Sequence, residues 1–515
     1  MSNFGDGQFL CEVYEPGDFE LNASYRGYAL AGFGMRAPDD VQQPFDLAAG
    51  EHVTGVTLRM WKNGAITGRA LDATGEPIVG ATVSTLTVLP TGVHILTPTA
   101  RRNATDDRGI YRIADVPAGN YVIALTRGPS SPSPSSPIFY PNVASLTAAR
   151  AVTVTAGADV TGIDFAEARK QTFAVSGRLL GRAASRPAGY ESHPTLIRLL
   201  PADAPDTPPG FDVAATDVFA RVGGAGARDR QGAFTFTNVP PGKYVVRIVD
   251  YPGPTWPNIA SLGYWIMSAP HAPVPEGDTM WADVPVSVTD HDVTDLPIVL
   301  QKAARLSGRI VFEDAPVPQP PGDAPIFLVR ADGRYYGETS FGVSEASGDF
   351  HTIGVPAGPY VLMAFPSISN PLGWRLSSVQ IGGRNVADSA FEMGAADITD
   401  VVVTMRLRAS TLSGYVRDSS GAPRSDTALF VFSTDRSLWR PQLIPPRTSV
   451  PREVRPNRQG VYRIELLDGE YYVVATAEWP KNWQTPESLA ELAKTATRVS
   501  IAPRETKSLD VTIRY

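Results

Sequence analysis

Four large aromatic side chains, Trp256, Tyr264, Trp265 and Trp281, are gathered in residues 250–285. Flat rings of this kind can stack on the apolar C–H faces of pyranose sugars, which would make a carbohydrate-binding platform. Their commoner use is to pack an insertion onto its own domain. Trp439, Trp479 and Trp483 form a weaker second group, with at least one ring expected to pack under a helix. Acidic residues at Asp106-Asp107 and at Asp290, Asp292 and Asp295 have the chemistry of calcium ligands. They fall at expected turns, where Asp caps its own backbone, and a calcium cage needs about six or more oxygen donors.

Catalytic spacings are missing. None of the six histidines (His52, His94, His193, His271, His291, His351) has Glu three or four residues on, and His-Glu-x-x-His is absent. There is no Gly-x-Ser-x-Gly elbow and no Gly-rich phosphate loop ahead of a helix. Cys11 is the single cysteine, so no intrachain disulfide or Cys-based zinc site can form. We therefore expect no catalytic residue, no metal and no cofactor.

The elements that would position any site repeat along the chain. Gly109 and Tyr111 are followed ten residues later by Gly119 and Tyr121. The pair returns as Gly7, Phe9, Gly17 and Phe19; as Gly232, Phe234, Gly242 and Tyr244; and as Gly348, Phe350, Gly358 and Tyr360. It returns last as Gly460, Tyr462, Gly469 and Tyr471, one residue shorter. The leading glycines are 102, 123, 116 and 112 residues apart, the size of a small domain rather than of a solenoid unit. The glycines are assigned to turns and the aromatic residues to the core, Tyr121, Ile123 and Leu125 sharing one strand face.

Length and composition agree. A chain of 515 residues is too long for one core. With 46 Pro and 46 Gly it favours turns over long helices. The net charge of −7 and the lack of a Lys/Arg run argue against a nucleic-acid surface. Only 7 of 46 basic residues are Lys, a bias of high-GC bacterial coding. No apolar run approaches the ~18 residues of a membrane helix.

Boundaries come from a closing run and an opening run. The closing run is Gly50–Arg59, then Gly157–Phe165, Asp290–Leu300, Ala396–Met405 and Arg504–Ile513. The opening run is Ile66-Thr67-Gly68-Arg69, then Val175-Ser176-Gly177-Arg178, Leu306-Ser307-Gly308-Arg309 and Leu412-Ser413-Gly414-Tyr415. This gives residues 1–60 as the back half of a repeat whose front half is missing. Four repeats follow at 61–169, 170–302 (with the aromatic insertion), 303–407 and 408–515. Each reads as short strands between turns, so the expected fold is all-β: a tandem array of antiparallel Ig-like, transthyretin-like β-sandwiches. One short helix is expected near the C-terminus, capped by Thr485 with Pro486 at its first position. Short linkers would make the array a rod well over ~100 Å long. Gly128–Pro137 is a Pro/Ser segment.

Asp72-Ala73-Thr74-Gly75-Glu76-Pro77, Thr105-Asp106-Asp107-Arg108-Gly109-Ile110-Tyr111 and Val116-Pro117-Ala118-Gly119-Asn120-Tyr121 resemble the carboxypeptidase regulatory-like domain family. Repeats 2 and 3 depart at the first turn, and repeat 4 at Leu467-Asp468-Gly469-Glu470-Tyr471. The chain as a whole is similar to multi-domain envelope proteins of the acidobacterial kind. The resemblance implies a prealbumin-like sandwich and a non-enzymatic module of the periplasm, cell surface or secreted space. It would be a spacer or a protein- or glycan-binding module, its partner a polysaccharide or another envelope protein. The alternative is a starch-binding-like carbohydrate-binding protein with its site in the repeat 2 insertion.

Overall fold

A computed structural model gives the architecture. It describes residues 2–513 except 88–101, 128–136, 182–195, 203–231, 253–273, 314–323, 335–339, 365–373, 407–409, 440–450 and a few shorter stretches. The fold is all-β, with one α-helix among the described residues.

Four hydrophobic cores succeed one another along the chain, within residues 66–165, 175–300, 304–405 and 412–513. In the first, the opening strand Gly64–Leu71 pairs antiparallel with Ile110–Val116. It pairs in parallel with the short strands Asp159–Val160 and Phe165–Ala166 of the closing run. A second sheet is built on Gly119–Thr126, which pairs with Thr82–Thr87, Val152–Val154 and Ile138–Phe139. Ile66, Tyr111, Ile113, Tyr121, Ile123 and Phe165 fill the space between the sheets. The parallel opening–closing pair refines the expected antiparallel scheme, and it recurs in all four repeats. Among the described residues, only repeat 3 joins its two sheets, through Ser340–Ser344, into one of nine strands.

That parallel pair explains the opening glycine. A Cβ on Gly68, Gly177, Gly308 or Gly414 would overlap the carbonyl oxygen of Ile163, Leu296, Val401 or Leu509 respectively. The opening strand is thus admitted beside the closing run only where it has no side chain. The ring two residues past the first turn lies over the same spot. Tyr111 Oη donates to the Ile163 carbonyl, and Tyr462 Oη to that of Leu509 at 2.7 Å.

The two glycines of the turn pair have different reasons to be there. Gly109 has φ +74°, in the left-handed region that favours glycine. Gly119 and Gly242 have no positive φ, so they do not reverse the chain as the repeat pattern suggests. The tyrosine two residues on folds back over each of them, its ring 2.8–3.4 Å from where a Cβ would be. The hydroxyl then donates to the carbonyl four residues back: Tyr121 to Pro117 at 2.9 Å, Tyr244 to Pro240 at 2.7 Å, Tyr360 to Pro356 at 2.8 Å and Tyr471 to Leu467 at 3.0 Å.

The helix is Pro486–Thr495. Thr485 Oγ1 accepts from the Ser488 amide at 3.3 Å, and Leu489 and Leu492 are buried.

Residues 1–60 do not extend the array outward. Gln43 Nε2 donates to the carbonyls of Pro456 and Ser425 at 2.9 and 3.2 Å. Arg36 reaches the Asp426 carbonyl at 2.9 Å, and Arg458 donates to the Asp46 carbonyl at 2.6 Å and to Glu51 at 3.1 Å. The same segment bonds to the start of repeat 1 through Ala29 N to Trp61 O and Asn63 N to Gly27 O. A straight rod with its two ends far apart is therefore incompatible with these contacts. The first segment bridges repeats 1 and 4.

Candidate ligand-binding face

In each repeat the second sheet turns one face to the core and the other away from it. On the outward face, cross-strand partners fall in register. Ala124 faces Ser84 in repeat 1, Met363 faces Phe327 in repeat 3 and Val474 faces Phe430 in repeat 4. Each counts five residues on from its second-turn glycine. The same position in repeat 2 is Arg247, and its partner is Arg198.

The outward faces of repeats 1 and 4 are covered by apolar packing. Leu86, Val122, Ala124, Phe139 and Leu146 form a small second core in repeat 1. In repeat 4, Phe430, Phe432, Trp439 and Val474 meet Leu489 and Leu492 of the helix. Trp439 Nε1 donates to the Ser433 carbonyl at 2.7 Å, and Trp483 packs on Phe430 with ring centroids 4.8 Å apart. These two tryptophans are structural. Trp479 lies outside the described residues.

Repeat 2 instead carries a row of charge. Arg198 stands beside Arg247, and Arg247 beside Asp283 on the next strand, Met280–Val288. The Arg247–Asp283 pair is bidentate, Nε to Oδ1 and Nη2 to Oδ2 both at 3.0 Å. A planar guanidinium matches a carboxylate in this fork geometry. Arg198 is 1% exposed and Arg247 3%, so charges have been taken out of water where the other repeats bury uncharged side chains. The Asp283 side chain keeps 20% exposure. Trp281 is half-buried on the same strand, two residues before Asp283 and so on the same face. Its companions Trp256, Tyr264 and Trp265 lie outside the described residues. Trp281 and the part-exposed Asp283 carboxylate, held in place by Arg247, can together stack on and hydrogen-bond a hydroxyl-rich ligand.

Arg198 and Arg247 are absent from the expectations drawn on sequence. The signal was present, since Arg247 interrupts the run Val245-Val246-Arg247-Ile248-Val249. A strand buried on both faces has no room for an unpaired ionisable residue.

Of the acidic candidates, Asp106 caps its own turn, as Asp72 does in the preceding one. Asp106 Oδ1 accepts from the amides of Arg108 and Ile110 at 3.0 and 2.7 Å, and Asp72 Oδ1 from those of Thr74 and Glu76 at 2.8 and 3.0 Å. The Ile110 amide, with the Arg108 amide and guanidinium, holds the Asp106 carboxyl below the usual carboxylate range. Asp292 Oδ1 accepts from Ala174 N at 2.8 Å, and Asp295 has φ +57°. Among the described residues, no group of three or more His, Cys, Asp or Glu is placed to hold a metal ion. His291 is exposed beside Asp290 at 2.7 Å. His94, His193 and His271 lie outside the described residues.

Residues 65–166 match the carboxypeptidase regulatory-like domain family. The match covers repeat 1, whose turns fit that pattern best. No curated protein matches the chain by sequence. Among solved structures, the chain is similar to the Bacillus anthracis TIE protein at 11% identity over 98% of this chain and 75% of that one, TM-score 0.16. It is similar to a streptococcal ancillary pilin at 12% identity over 67% and 99%, TM-score 0.20. It is also similar to BcpA, the major pilin subunit of Bacillus cereus, at 11% identity over 88% and 99%, TM-score 0.15. Scores of this size carry no argument about arrangement or function.

Proposed function

We propose that the chain is a non-catalytic, multi-domain β-sandwich protein of the bacterial cell envelope. It acts as a spacer carrying one binding face, and that face is the outward side of the repeat 2 sheet. The residue ranges 61–169, 170–302, 303–407 and 408–515 are its four units. One observation supports the placement of the face. Arg198, Arg247 and Asp283 stand where repeats 3 and 4 bury apolar pairs and repeat 1 buries an uncharged Ala–Ser pair. Burying ions costs several kcal/mol unless they are well paired, and replacing such a pair by hydrocarbon is often neutral or stabilising. A row retained at that cost is better explained by a ligand than by stability.

The ligand class is a polysaccharide, with Trp281 as the stacking ring. Binding to a glycan array or in a polysaccharide pull-down should be lost in Trp281→Ala with thermal unfolding little changed. Binding that survives this substitution moves the site off repeat 2, and no binding to any glycan leaves the spacer role alone.

A further inference from the structure

The chain leaves repeat 2 along a path that brings one more side chain to its outward face. In repeat 3, Arg406 comes three residues after Val403, stays in the closing strand beside Glu313 and bonds to it at 2.7 Å. The equivalent residue of repeat 2 is Gln301, three past Ile298. Here the chain quits the first sheet after Leu300, whose amide still donates to the Leu180 carbonyl at 2.8 Å, and crosses to the edge of the second. Gln301–Lys302 forms a short strand there, antiparallel to the start of Met280–Val288.

Register puts Gln301 directly opposite Trp281, and Lys302 opposite Met280. Residues opposed in this way share a sheet face, with Cα atoms about 4.5–5.5 Å apart. Gln301 therefore stands on the outward face beside Trp281, and it is exposed. Asp283 lies on the same face, ~7 Å further along the Trp281 strand. Val249, on the other flank of Trp281, is 1% exposed. The indole thus has a closed apolar neighbour on one side and an exposed amide on the other. Lys302 takes the opposite face and pairs with Asp278 at 2.9 Å.

Both neighbouring repeats fix the backbone that carries Gln301. Ala303 N donates to the Thr279 carbonyl at 2.9 Å, and the Arg305 guanidinium donates to the Gly277 carbonyl, which fastens the linker to repeat 2. Val355 N donates to the Ala304 carbonyl at 2.8 Å, which fastens it to repeat 3. The seam is tight: a Cβ on Gly354 would lie 3.0 Å from the Ala303 carbonyl oxygen and 3.2 Å from Thr279 Cβ. A side chain on backbone held from both sides has less freedom left to lose on binding.

We propose that Gln301 is a specificity-determining residue of the repeat 2 face, its amide hydrogen-bonding hydroxyls of the sugar ring that stacks on Trp281. A primary amide offers two N–H donors and an acceptor carbonyl, so it serves neighbouring hydroxyls in both senses, whereas the Asp283 carboxylate only accepts. Stacking tolerates any sugar with an apolar face. Hydrogen bonds at the edge of the ring depend on where each hydroxyl points, and a few such placed polar groups are what orient a ligand and select it. The role rests on the glycan reading of repeat 2, and it puts the site at the seam with repeat 3.

The probes are soluble amylose, cellulose and xylan oligosaccharides, titrated into the full chain by isothermal calorimetry. The wild-type chain is expected to bind at least one of them and Trp281→Ala none. Gln301→Ala should weaken the preferred probe about fivefold to tenfold, the size of a lost neutral hydrogen bond, and narrow its lead over the others. Its Tm should not change, because the side chain is exposed and the backbone bonds remain. Lys302→Ala, on the opposite face, should bind as the wild-type chain does. If Trp281→Ala has lost binding while Gln301→Ala keeps wild-type affinity, or weakens every probe alike, the Gln301 role alone is overturned. If the wild-type chain binds none of the probes, or Trp281→Ala binds them equally well, the glycan reading falls and the Gln301 role falls with it.

Discussion

The outward sheet faces of repeats 2 and 4 occupy the same place in the fold and are built from opposite chemistry. In repeat 4, Phe430 and Val474 are sealed by a helix. In repeat 2, Arg198, Arg247 and Asp283 lie across the equivalent strands. The inward faces are nearly interchangeable, each with its folded-back tyrosine and opening glycine. The difference separates two demands. The inward face must make a sandwich, so it recurs, whereas the outward face is free to specialise.

The strongest break in this comparison is Phe430→Ala. It opens a cavity in a closed apolar cluster and should destabilise repeat 4 by about 3–5 kcal/mol, read by chemical denaturation. Gly68→Val attacks what the repeats share. The added side chain overlaps the Ile163 carbonyl, and a loss of about 3 kcal/mol confined to repeat 1 is expected by hydrogen exchange. If Gly414→Val costs repeat 4 as much as Gly68→Val costs repeat 1, the shared geometry holds.

A smaller effect is expected from Tyr244→Phe, which removes the bond to the Pro240 carbonyl at a cost of about 1 kcal/mol. The tyrosines of the other repeats should respond alike. A response restricted to one repeat would show that the folded-back ring does not have a common role.

The smallest effect is a pH difference. Repeat 1 caps its first turn with Asp106, and repeat 4 with Asn457, which accepts from the amides of Gln459 and Val461 at 3.1 and 2.9 Å. The Asp106 pKa is lowered on folding, chiefly by the Ile110 amide. Its contribution is therefore present above the ordinary carboxylate pKa of about 4 and is lost as pH falls through the lower folded value. The amide of Ile110 should lose protection in acid relative to Val461, after correction for intrinsic exchange. Asp106→Asn should remove the difference.

Much of the inward face was legible in sequence because its determinants are local. Asp72-x-x-Gly75 is an Asx-capped turn with Gly75 at φ +88°, and its spacing alone reveals it. The Thr485–Pro486 helix start was legible for the same reason. Gly119 was legible as required but not for the right cause, because the reason lies in the ring of Tyr121 and not in the backbone angle. Which carbonyl faces Gly68 depends on a strand nearly a hundred residues away. The bridge from Gln43 and Asp46 to repeat 4 spans most of the chain, and no periodicity reports such a contact. The aromatic insertion drew attention by composition. The charged row beside it drew none, because two arginines on separate strands become neighbours only through register.

The most direct test of the central claim is a triple substitution, Arg198→Leu with Arg247→Met and Asp283→Val, which gives repeat 2 an apolar outward row like those of repeats 3 and 4. Stability and glycan binding are measured on the same protein. The account predicts that the midpoint of unfolding stays level or rises, since a buried ion pair exchanged for hydrocarbon is often neutral or worth about 1–4 kcal/mol, while binding disappears. Lost stability with binding intact would contradict it, and would make the charged row a structural part of repeat 2.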